Sequence, residues 1–491
     1  MRLEYAAIAI VIIAAAAWLA YDNFMPREFT VSVKLADSQG LPINATVQLY
    51  ADDRLAAEAQ VNGEANVKIS AKKGAALMAR ASADGFIPTR AGFSGAAVKI
   101  TMQRETARTQ KTDFVIATGY ANLEKKYGAA LANEIKTKIL ELASAAQQYD
   151  GLQTQAIFLD GNYSTVGEAV NALQPAYLLI VGGPAIVPFG EAETPLKGAS
   201  GLGFVAMQDP TVPTDNDYGV FPAAEYDCNE CYPDVAVGRL PDGNDTKSES
   251  RILVDLLNYA IAAHEQKPVL DSMASLVSKD SYGGHLHYSL YSQLGNRVVD
   301  APPNYFRAMQ ASDGREAERL AIMLASLGPA SALFLSVHGS SPPWPQVFSA
   351  SDGSNEYFLM ARGLPALESQ NFSDKIILAD ACYGGNPYRN ENESLSLMFL
   401  SKGAAAFVGS TTSALANRKV SSHEFQDERE LLALGSSTAF HYSVLKGLAD
   451  GERVGDAVNA ARREMQFGVP ADELTAIQYV LYGDPTLKTN S

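Results

Sequence analysis

The chain has 491 residues, which is too long for one compact core, so two or three domains are expected. Its hydrophobic content of 47% is ordinary for a folded globular protein. The formal net charge of −16 argues against a nucleic-acid partner, because phosphate binding needs clustered Lys and Arg side chains.

The first 27 residues contain an uncharged apolar run, residues 5–21, at the short end of the length range of a spanning helix, about 17–25 residues. Arg2 precedes this run and Asp22 follows it, which predicts a membrane anchor with its N-terminus in the cytoplasm. The alternative is a secretory signal peptide cleaved near the small residues 15–17. Both interpretations export the rest of the chain, which is then membrane-anchored and extracytoplasmic or, after cleavage, secreted.

Residues 28–104 alternate apolar and polar side chains with period two, as in Val31, Val33 and Leu35 and again in Val47 and Leu49. Short alternating segments separated by glycine-containing turns predict a small antiparallel β-sandwich. Residues 33–50 and 81–86 resemble the carboxypeptidase-regulatory or transthyretin-like sandwiches. We find no cluster of catalytic residue types here, and expect a spacer or an adhesive module.

A polar linker, residues 105–112, is followed by a change of period. Apolar runs at 113–117, 156–159 and 177–181 alternate with helical patterns at 129–149 and 166–173. This alternation predicts a parallel sheet covered by helices. We expect a first α/β subdomain over residues 113–267 and a second over residues 268–491, which closes with helices at 427–446 and 453–465.

Two apolar runs in the second subdomain each lead into a reactive side chain. Residues 333–337 are followed by His338, and residues 375–379 lead through an Asp-Ala dipeptide to Cys382. Such runs suit buried parallel strands, and functional groups in open α/β sheets lie just beyond the carboxyl ends of the strands. We therefore expect His338 and Cys382 to share one crevice, as nucleophilic thiol chemistry requires.

The remaining Cys and His residues give weaker signals. Cys228 and Cys231 lie in an acidic loop without the further ligands that zinc needs, so a local disulfide or two free thiols is expected. His285 and His287 form a His-x-His pair for which a solvated turn is the plainer interpretation. No cofactor is predicted to be required, and a structural calcium ion in the acidic loop stays open.

Several stretches occur in an order that carries a family resemblance. They are residues 179–183 with 187–188, residues 233–241 with a helix through 257–259, residues 338–340 with Trp344, residues 380–382, and residues 482–487. From residue 113 to its end the chain resembles the gingipain-type cysteine peptidases, relatives of caspases and legumains. The resemblance implies an α/β fold, a caspase/gingipain-like catalytic region of two subdomains and three αβα layers.

The resemblance also implies roles at the reacting centre. Cys382 would be the nucleophile, His338 the general acid–base, and the backbone N–H groups of Gly339 and Cys382 the oxyanion donors. A glycine at 339 would let the substrate carbonyl approach closely. Trp344 would form a wall of the pocket for the residue before the scissile bond, and the alternative is a packed surface tryptophan.

Three further site residues follow from the resemblance. Asp215 would supply the acidic residue that orients the base, and a plain turn cap is the alternative. Glu230, within an acidic cluster, would bind an Arg or Lys side chain of the substrate, whereas a solvated or calcium-binding loop explains the cluster nearly as well. Tyr383, directly after the nucleophile, would narrow the site. Val337 stands where relatives usually have a glycine, which puts the substrate preference in doubt.

The sequence thus predicts an extracytoplasmic, membrane-anchored cysteine endopeptidase that hydrolyses proteins or peptides through a Cys382 thioester, after Arg or Lys in the narrower version. One alternative is a catalytically inert adhesion or scaffold protein on the same fold, and another is a transpeptidase in which an amine resolves the thioester. An α/β-hydrolase esterase would need a Gly-x-Ser-x-Gly elbow, which we do not find. The oligomeric state stays open.

Overall fold

The computed structural model describes residues 25–37, 39–51, 54–73, 75, 77–83, 86, 89–93, 95–102, 112–159, 163–196, 209–220, 232–277, 297–300, 330–342, 344, 346–351, 356–360, 371–415, 436–465 and 469–490. Its contacts divide the chain into two compact units. The described residues up to 102 belong to the first unit, and those from 112 onward belong to the second.

The described residues of the first unit form seven strands in two sheets. The strands are β1 (Arg27–Asp37), β2 (Asn44–Ala51), β3 (Arg54–Asn62), β4 (Glu64–Ala71), β5 (Leu77–Ser82), β6 (Thr89–Phe93) and β7 (Ala97–Met102). One sheet has the order β4-β1-β7, with β1 and β7 parallel, and the other has the antiparallel order β3-β2-β5-β6.

Both sheets contribute to the main apolar core of this unit. Val31, Val33 and Leu35 of β1 are buried beside Val47 and Leu49 of β2, while the residues between them in each strand are more exposed. Period-two burial of this kind follows from successive side chains in a strand pointing to opposite faces. The resemblance of this unit to a particular sandwich family stays a prediction.

The second unit alternates strands and helices. Its first part contains β8 (Phe114–Gly119), α1 (Tyr120–Asp150), β9 (Thr154–Leu159), α2 (Tyr163–Leu173), β10 (Tyr177–Val181), β11 (Gly190–Glu193), β12 (Thr211–Thr214), β13 (Ala236–Leu240), α3 (Ile252–Gln266), β14 (Ser272–Val277) and β15 (Arg297–Asp300). It continues with β16 (Ala332–Ser336), β17 (His338–Gly339), β18 (Val347–Ser351), β19 (Glu356–Met360), β20 (Ile376–Asp380), α4 (Leu395–Ser401), β21 (Ala406–Ser410), α5 (Ser436–Ala449), α6 (Val454–Glu464), α7 (Pro470–Gln478) and β22 (Tyr479–Gly483).

Ten of these strands form one sheet, in the order β15-β14-β16-β20-β21-β22-β13-β10-β8-β9. Every neighbouring pair is parallel except β21 and β22, which are antiparallel. The five strands from β15 to β21 therefore run in one direction and the five from β22 to β9 run in the other. The predicted α/β class with a large, mainly parallel sheet is confirmed.

Strand β22 joins the two halves of this sheet. It follows every other described strand in chain order, yet it lies between β21 and β13 at the centre. Its Tyr482 faces Phe407 of β21 on one side and Arg239 of β13 on the other. All five residues of β22 are buried, so the strand is a core element of both halves.

A three-stranded antiparallel sheet lies beyond β16 along the chain, in the order β17-β18-β19. Its first strand consists of His338 and Gly339, which pair with Ser349 and Phe348. The candidate base therefore belongs to a hairpin-stabilised segment that leaves the main sheet directly after β16.

Two predictions concern residues that the structure does not describe in full. The predicted anchor or signal segment, residues 5–21, lies outside the described residues, as does the part of the predicted helix from 427 to 435. Within the described part of the chain, we find no helix that is both long enough and apolar enough to cross a bilayer.

Candidate active site

The register of two parallel strands brings the candidate base and nucleophile to one edge of the sheet. Ser336 of β16 pairs with Asp380 of β20, and the N–H of Val337 donates a hydrogen bond to the Asp380 carbonyl at 3.1 Å. His338 and Cys382 each follow the paired residue by two positions. Both strands are fully buried apolar runs, which explains why the sequence pattern predicted them.

The backbone of Gly339 lies directly against that of Cys382. A Cβ atom at position 339 would lie 1.8 Å from the Cys382 carbonyl oxygen and 3.1 Å from its nitrogen. No side chain fits into that space, so glycine is needed because the two segments touch. The predicted reason for a glycine here was room for a substrate carbonyl, and the contact between the His338 and Cys382 segments is a second reason.

The Cys382 thiol is the predicted nucleophile of the pair. It is a free cysteine, half-buried, and its Sγ lies 3.7 Å from the Ala414 carbonyl oxygen, to which the thiol donates. Burial raises the pKa of this thiol, and the negative charge of Asp380 raises it further. A thiol of this kind is protonated at neutral pH and needs a base to become a nucleophile. His338, which is exposed at the neighbouring strand end, is the base that the topology supplies.

Tyr383 takes a strained backbone conformation immediately after the nucleophile. Its φ of 55° lies in the left-handed region, which residues other than glycine adopt rarely. Its side chain is buried, where the hydroxyl donates to Asp209 Oδ2 at 2.6 Å and accepts from Ser413 Oγ at 3.2 Å. These contacts tie Tyr383 to the protein interior, so its predicted part in narrowing the pocket has no support from this geometry.

The turn that carries Cys382 is supported from the centre of the sheet. The N–H of Gly385 donates to the Ser410 carbonyl at 2.8 Å, and the hydroxyl of Tyr482 donates to the Gly385 carbonyl at 2.7 Å. A Cβ at Gly385 would lie 2.5 Å from the Gly409 carbonyl oxygen. The second glycine after the nucleophile is therefore required by close packing against β21.

Asp380, two residues before the nucleophile, belongs to a buried aromatic cluster. The hydroxyl of Tyr479 donates to Asp380 Oδ1 at 3.1 Å, and the Tyr479 ring packs edge-on against His441 with 4.8 Å between centroids. Burial lowers the pKa of His441, whose Nδ1 lies 2.7 Å from the Ser437 carbonyl. His441 is therefore neutral and donates from Nδ1, as a core histidine does, in agreement with its having no predicted role.

Asp215 is bound by a buried arginine. Arg239 donates from Nε to Asp215 Oδ2 at 2.8 Å and from Nη2 to Oδ1 at 2.5 Å. Its other N–H groups reach the carbonyl oxygens of Gly182, Val187 and Pro188. Arg239 is 0% exposed, and all of its donors are used, which a buried guanidinium requires.

This ion pair changes the interpretation of Asp215. Both of its carboxylate oxygens accept from Arg239, and no bond from Asp215 to His338 is found among the described residues. The structure thus pairs Asp215 with Arg239 of β13, in the half of the sheet that extends from β22 to β9, and not with His338. The sequence contained the signal, because Arg239 ends the Gly-Arg pair of β13, but nothing in the sequence paired it with Asp215.

The two predicted specificity residues differ in what the structure shows. Trp344 is 70% exposed, so its indole is open to solvent on the segment that follows His338. Glu230 lies outside the described residues, together with Cys228, Cys231 and the rest of their acidic loop, and so do His285 and His287.

Two residues that sequence reasoning missed join the His338 and Cys382 segments. Gln346 donates from Nε2 to the carbonyl oxygens of Tyr383 at 2.9 Å and Gly384 at 2.7 Å. Arg389, which follows Cys382 in the chain, donates from its guanidinium to the carbonyl oxygens of Trp344 and Ser340, which follow His338. Neither residue type marks a reacting group, and their partners are backbone atoms, so no motif could have identified them.

Within the described residues, no cluster of three or more His, Cys, Asp or Glu side chains is placed to hold a metal ion. The acidic loop that was considered for calcium lies outside those residues. The described part of the site is a thiol, an imidazole and backbone N–H and C=O groups, which together can carry out nucleophilic acyl transfer.

A cysteine and a histidine thus lie at the ends of adjoining strands of a two-directional α/β sheet, an arrangement that is expected of a cysteine peptidase. The model of Peptidase family C25 matches residues 110–490, and the chain therefore belongs to this family, the gingipain family. No curated protein sequence matches the chain.

Three solved structures resemble the chain at low identity. The Arg-specific cysteine proteinase gingipain R matches at 14% identity and a TM-score of 0.47, covering 78% of this chain and 79% of that one. A complex of the Porphyromonas gingivalis RgpB pro- and mature domains matches at 14% identity and a TM-score of 0.47, covering 77% and 80%. A structure described as a protease matches at 12% identity and a TM-score of 0.46, covering 78% and 79%.

Proposed function

We propose that the protein is an extracytoplasmic cysteine endopeptidase that cleaves proteins or peptides through a Cys382–His338 dyad. The observation that carries this proposal is the direct contact between the backbones of Gly339 and Cys382 at the ends of two parallel strands. This contact holds the base-bearing and the thiol-bearing segments together without a flexible connection between them. Proximity of this kind is a large part of enzymatic rate enhancement.

The reaction begins when His338 removes the proton from Cys382 Sγ. The thiolate attacks the carbonyl carbon of the scissile bond, and the backbone N–H groups of Gly339 and Cys382 stabilise the resulting oxyanion. The C–N bond then breaks, the leaving amine takes a proton from His338, and a thioester remains on Cys382. Water, deprotonated by His338, attacks the thioester, which releases the acid and restores the thiol.

Specificity is the finer part of the proposal. Trp344, exposed on the segment that follows the base, offers an aromatic wall to the residue before the scissile bond. Glu230 and its acidic neighbours would bind the guanidinium or ammonium group of an Arg or Lys at that position. We also propose that residues 1–27 anchor the chain in the membrane or direct its secretion, with the enzyme on the outer side.

The test is cleavage of a panel of fluorogenic peptides that differ in the residue before the scissile bond. The full chain and its Cys382→Ala variant are compared, each before and after limited proteolysis to release any latent form. We expect turnover by the wild type only. Turnover that survives in the variant, or that is absent from both proteins after proteolysis, overturns the proposal, and the second outcome favours the inert scaffold.

Basic specificity is tested in the same panel. Peptides with Arg or Lys before the scissile bond should be preferred, and Glu230→Gln should raise KM for these peptides alone. Glu64→Gln, on an exposed strand of the first unit, is the control. Equal KM values in the Glu230 variant and the wild type would contradict the pocket assignment. An added peptide amine that appears ligated to the product would identify transpeptidation.

A further inference from the structure

Two side chains join the segments that carry His338 and Cys382, and each segment supplies one of them. Gln346 lies on the His338 segment and binds the Cys382 turn, whereas Arg389 lies on the Cys382 segment and binds the residues after His338.

Gln346 uses its whole amide in this arrangement. Both Nε2 hydrogens are donated to the carbonyl oxygens of Tyr383 and Gly384, directly after the nucleophile. Its Oε1 accepts from the N–H of Leu395 at 2.5 Å, at the beginning of α4. The side chain is 0% exposed, so every one of these bonds is made away from water, where a lost partner is costly.

Arg389 holds the other segment at two points. One Nη2 hydrogen is donated to the Ser340 carbonyl at 2.5 Å, and Nη1 donates to the carbonyl of Trp344. Arg389 is buried, and burial lowers its pKa to about 10, which still leaves the guanidinium charged at neutral pH. A buried cation that donates to two backbone oxygens fixes the carbonyl groups of Ser340 and Trp344, and with them the placement of the exposed Trp344.

The 340–347 loop between these anchor points is closed on itself. The N–H of Ser340 donates to the Val347 carbonyl at 3.1 Å, and the N–H of Val347 donates to Ser340 Oγ at 2.9 Å. Because Ser340 and Val347 are bonded to each other, we expect a shift at either of them to move the other. Such a shift would reach His338 and Gly339, which directly precede Ser340 and pair with β18.

We propose that Gln346 and Arg389 are positioning residues that set the distance between the His338 imidazole and the Cys382 thiol, with Arg389 also fixing Trp344 for the substrate. This inference rests on the proposed function. Gln346 controls the turn that presents the nucleophile, so its loss acts on the chemical step. Arg389 controls the segment that bears the aromatic wall, so its loss acts on substrate binding as well.

The first test is Gln346→Glu, which keeps the shape and the acceptor for Leu395 but places a carboxylate against two carbonyl oxygens. We expect kcat to fall about 30- to 100-fold with KM within about threefold, because a displacement of about 1 Å costs about a hundredfold. The ratio of variant to wild-type kcat should recover as the pH falls and the new carboxyl group gains a proton that it can donate. The control is Asn122→Asp, whose amide donates to the Ile186 carbonyl at 3.0 Å in another part of the unit.

The second test compares Arg389→Met with Arg389→Lys. The methionine variant should raise KM about tenfold and lower kcat, and lysine, whose ammonium group can reach one of the two carbonyls, should restore part of both losses. Arg453→Lys serves as the control, because Arg453 donates to the Thr486 carbonyl outside the two catalytic segments. Equal effects of lysine and methionine at 389 would contradict a positioning role.

A second measurement separates this proposal from the proposed function. The rate of iodoacetamide alkylation at Cys382, followed by mass spectrometry of the peptide that contains it, needs no substrate. We expect alkylation at neutral pH to slow about tenfold or more in Gln346→Glu, since the base no longer meets the thiol. The midpoint of thermal unfolding of each variant sets an assay temperature at which it is folded.

The outcomes are distinct. If the wild type has no turnover but alkylation slows in the Gln346 variant, the proposed function fails and the positioning role stands. If the wild type has turnover that Cys382→Ala abolishes, while Gln346→Glu retains wild-type kcat and alkylation, the positioning role is overturned and the proposed function stands. A Gln346 variant that does not fold leaves the decision to Arg389→Lys against Arg453→Lys.

Discussion

Two polar sites of the second unit differ in how far their polar groups are exposed and hydrogen-bonded. At the Arg239–Asp215 pair every guanidinium N–H and both carboxylate oxygens are engaged, and both residues are buried. At the other site His338 is exposed, and the thiol of Cys382 has one long contact, 3.7 Å, to a carbonyl. Full burial with saturated hydrogen bonding is typical of a structural site, whereas a reacting group must be within reach of its substrate.

The largest effect should come from the exposed base. We expect His338→Ala to lower kcat by about 10²- to 10⁴-fold, the range typical of general acid–base catalysis, with little change in the midpoint of thermal unfolding. Peptide turnover and thermal unfolding, measured on one preparation of the variant, test whether activity is lost without a loss of stability. Undiminished turnover in the variant would show that another residue is the base, and His338 would then not be a reacting group.

Next in size is removal of the buried cation. Arg239→Met leaves the Asp215 carboxylate without its partner, so we expect the free energy of unfolding to fall by about 3–5 kcal/mol. Urea unfolding measures this loss, and Asp215→Asn, which keeps the shape, provides the second variant. Should Asp215→Asn lose turnover a hundredfold while it stays as stable as the wild type, Asp215 would be a catalytic residue after all.

The contact between the two catalytic segments gives the third prediction. Gly339→Ala should lower the free energy of unfolding by about 1–3 kcal/mol, because its Cβ would lie 1.8 Å from the Cys382 carbonyl oxygen. We expect a parallel loss of kcat of about a hundredfold, since the two segments must separate. Gly167→Ala, where no atom lies within 4 Å of the new Cβ, is the matched control and should stabilise its helix.

The smallest effect concerns the pH dependence of stability. Burial alone would lower the pKa of His264, but its bonds to Asp150 and Asp484 raise the pKa to about 9. The folded pKa is above the unfolded value, so the stabilisation is complete below about pH 6.5 and is lost as the pH rises through about 9. We expect a loss on the order of 2 kcal/mol in urea unfolding between pH 6 and pH 9.5.

His264→Gln provides the reference for that pH series. Glutamine does not titrate, so the difference between wild type and variant should shrink as the pH rises. A constant difference from pH 6 to pH 9.5 would show that the imidazole carries the same charge in the folded and unfolded protein, contrary to the prediction.

Sequence patterns predicted the strand ends that carry His338 and Cys382, because buried parallel strands have a recognisable composition and functional groups lie beyond their carboxyl ends. The same patterns attributed Gly339 to substrate access, since the contact with Cys382 depends on how two distant segments meet. The pairing of Asp215 with Arg239 was missed for a similar reason, because this partner is fixed by the fold and not by spacing along the chain.

Gln346 and Arg389 were beyond the reach of motif reasoning on other grounds. Their partners are backbone carbonyls, which every residue possesses, so the sequence carries no complementary signal. Bonds from side chains to backbone oxygens are visible only when the path of both segments is known. The position of β22 at the centre of the sheet was likewise unpredicted, because consecutive elements usually lie side by side.

That central strand has a consequence for how the protein is made. A ribosome delivers Tyr479–Gly483 after both neighbouring strands, β21 and β13, have already emerged. Until it arrives, each half-sheet presents an open edge of unpaired N–H and C=O groups, the kind of surface on which chains aggregate. The nascent polypeptide is therefore most vulnerable just before β22 emerges, and chaperone demand should peak at that stage of synthesis.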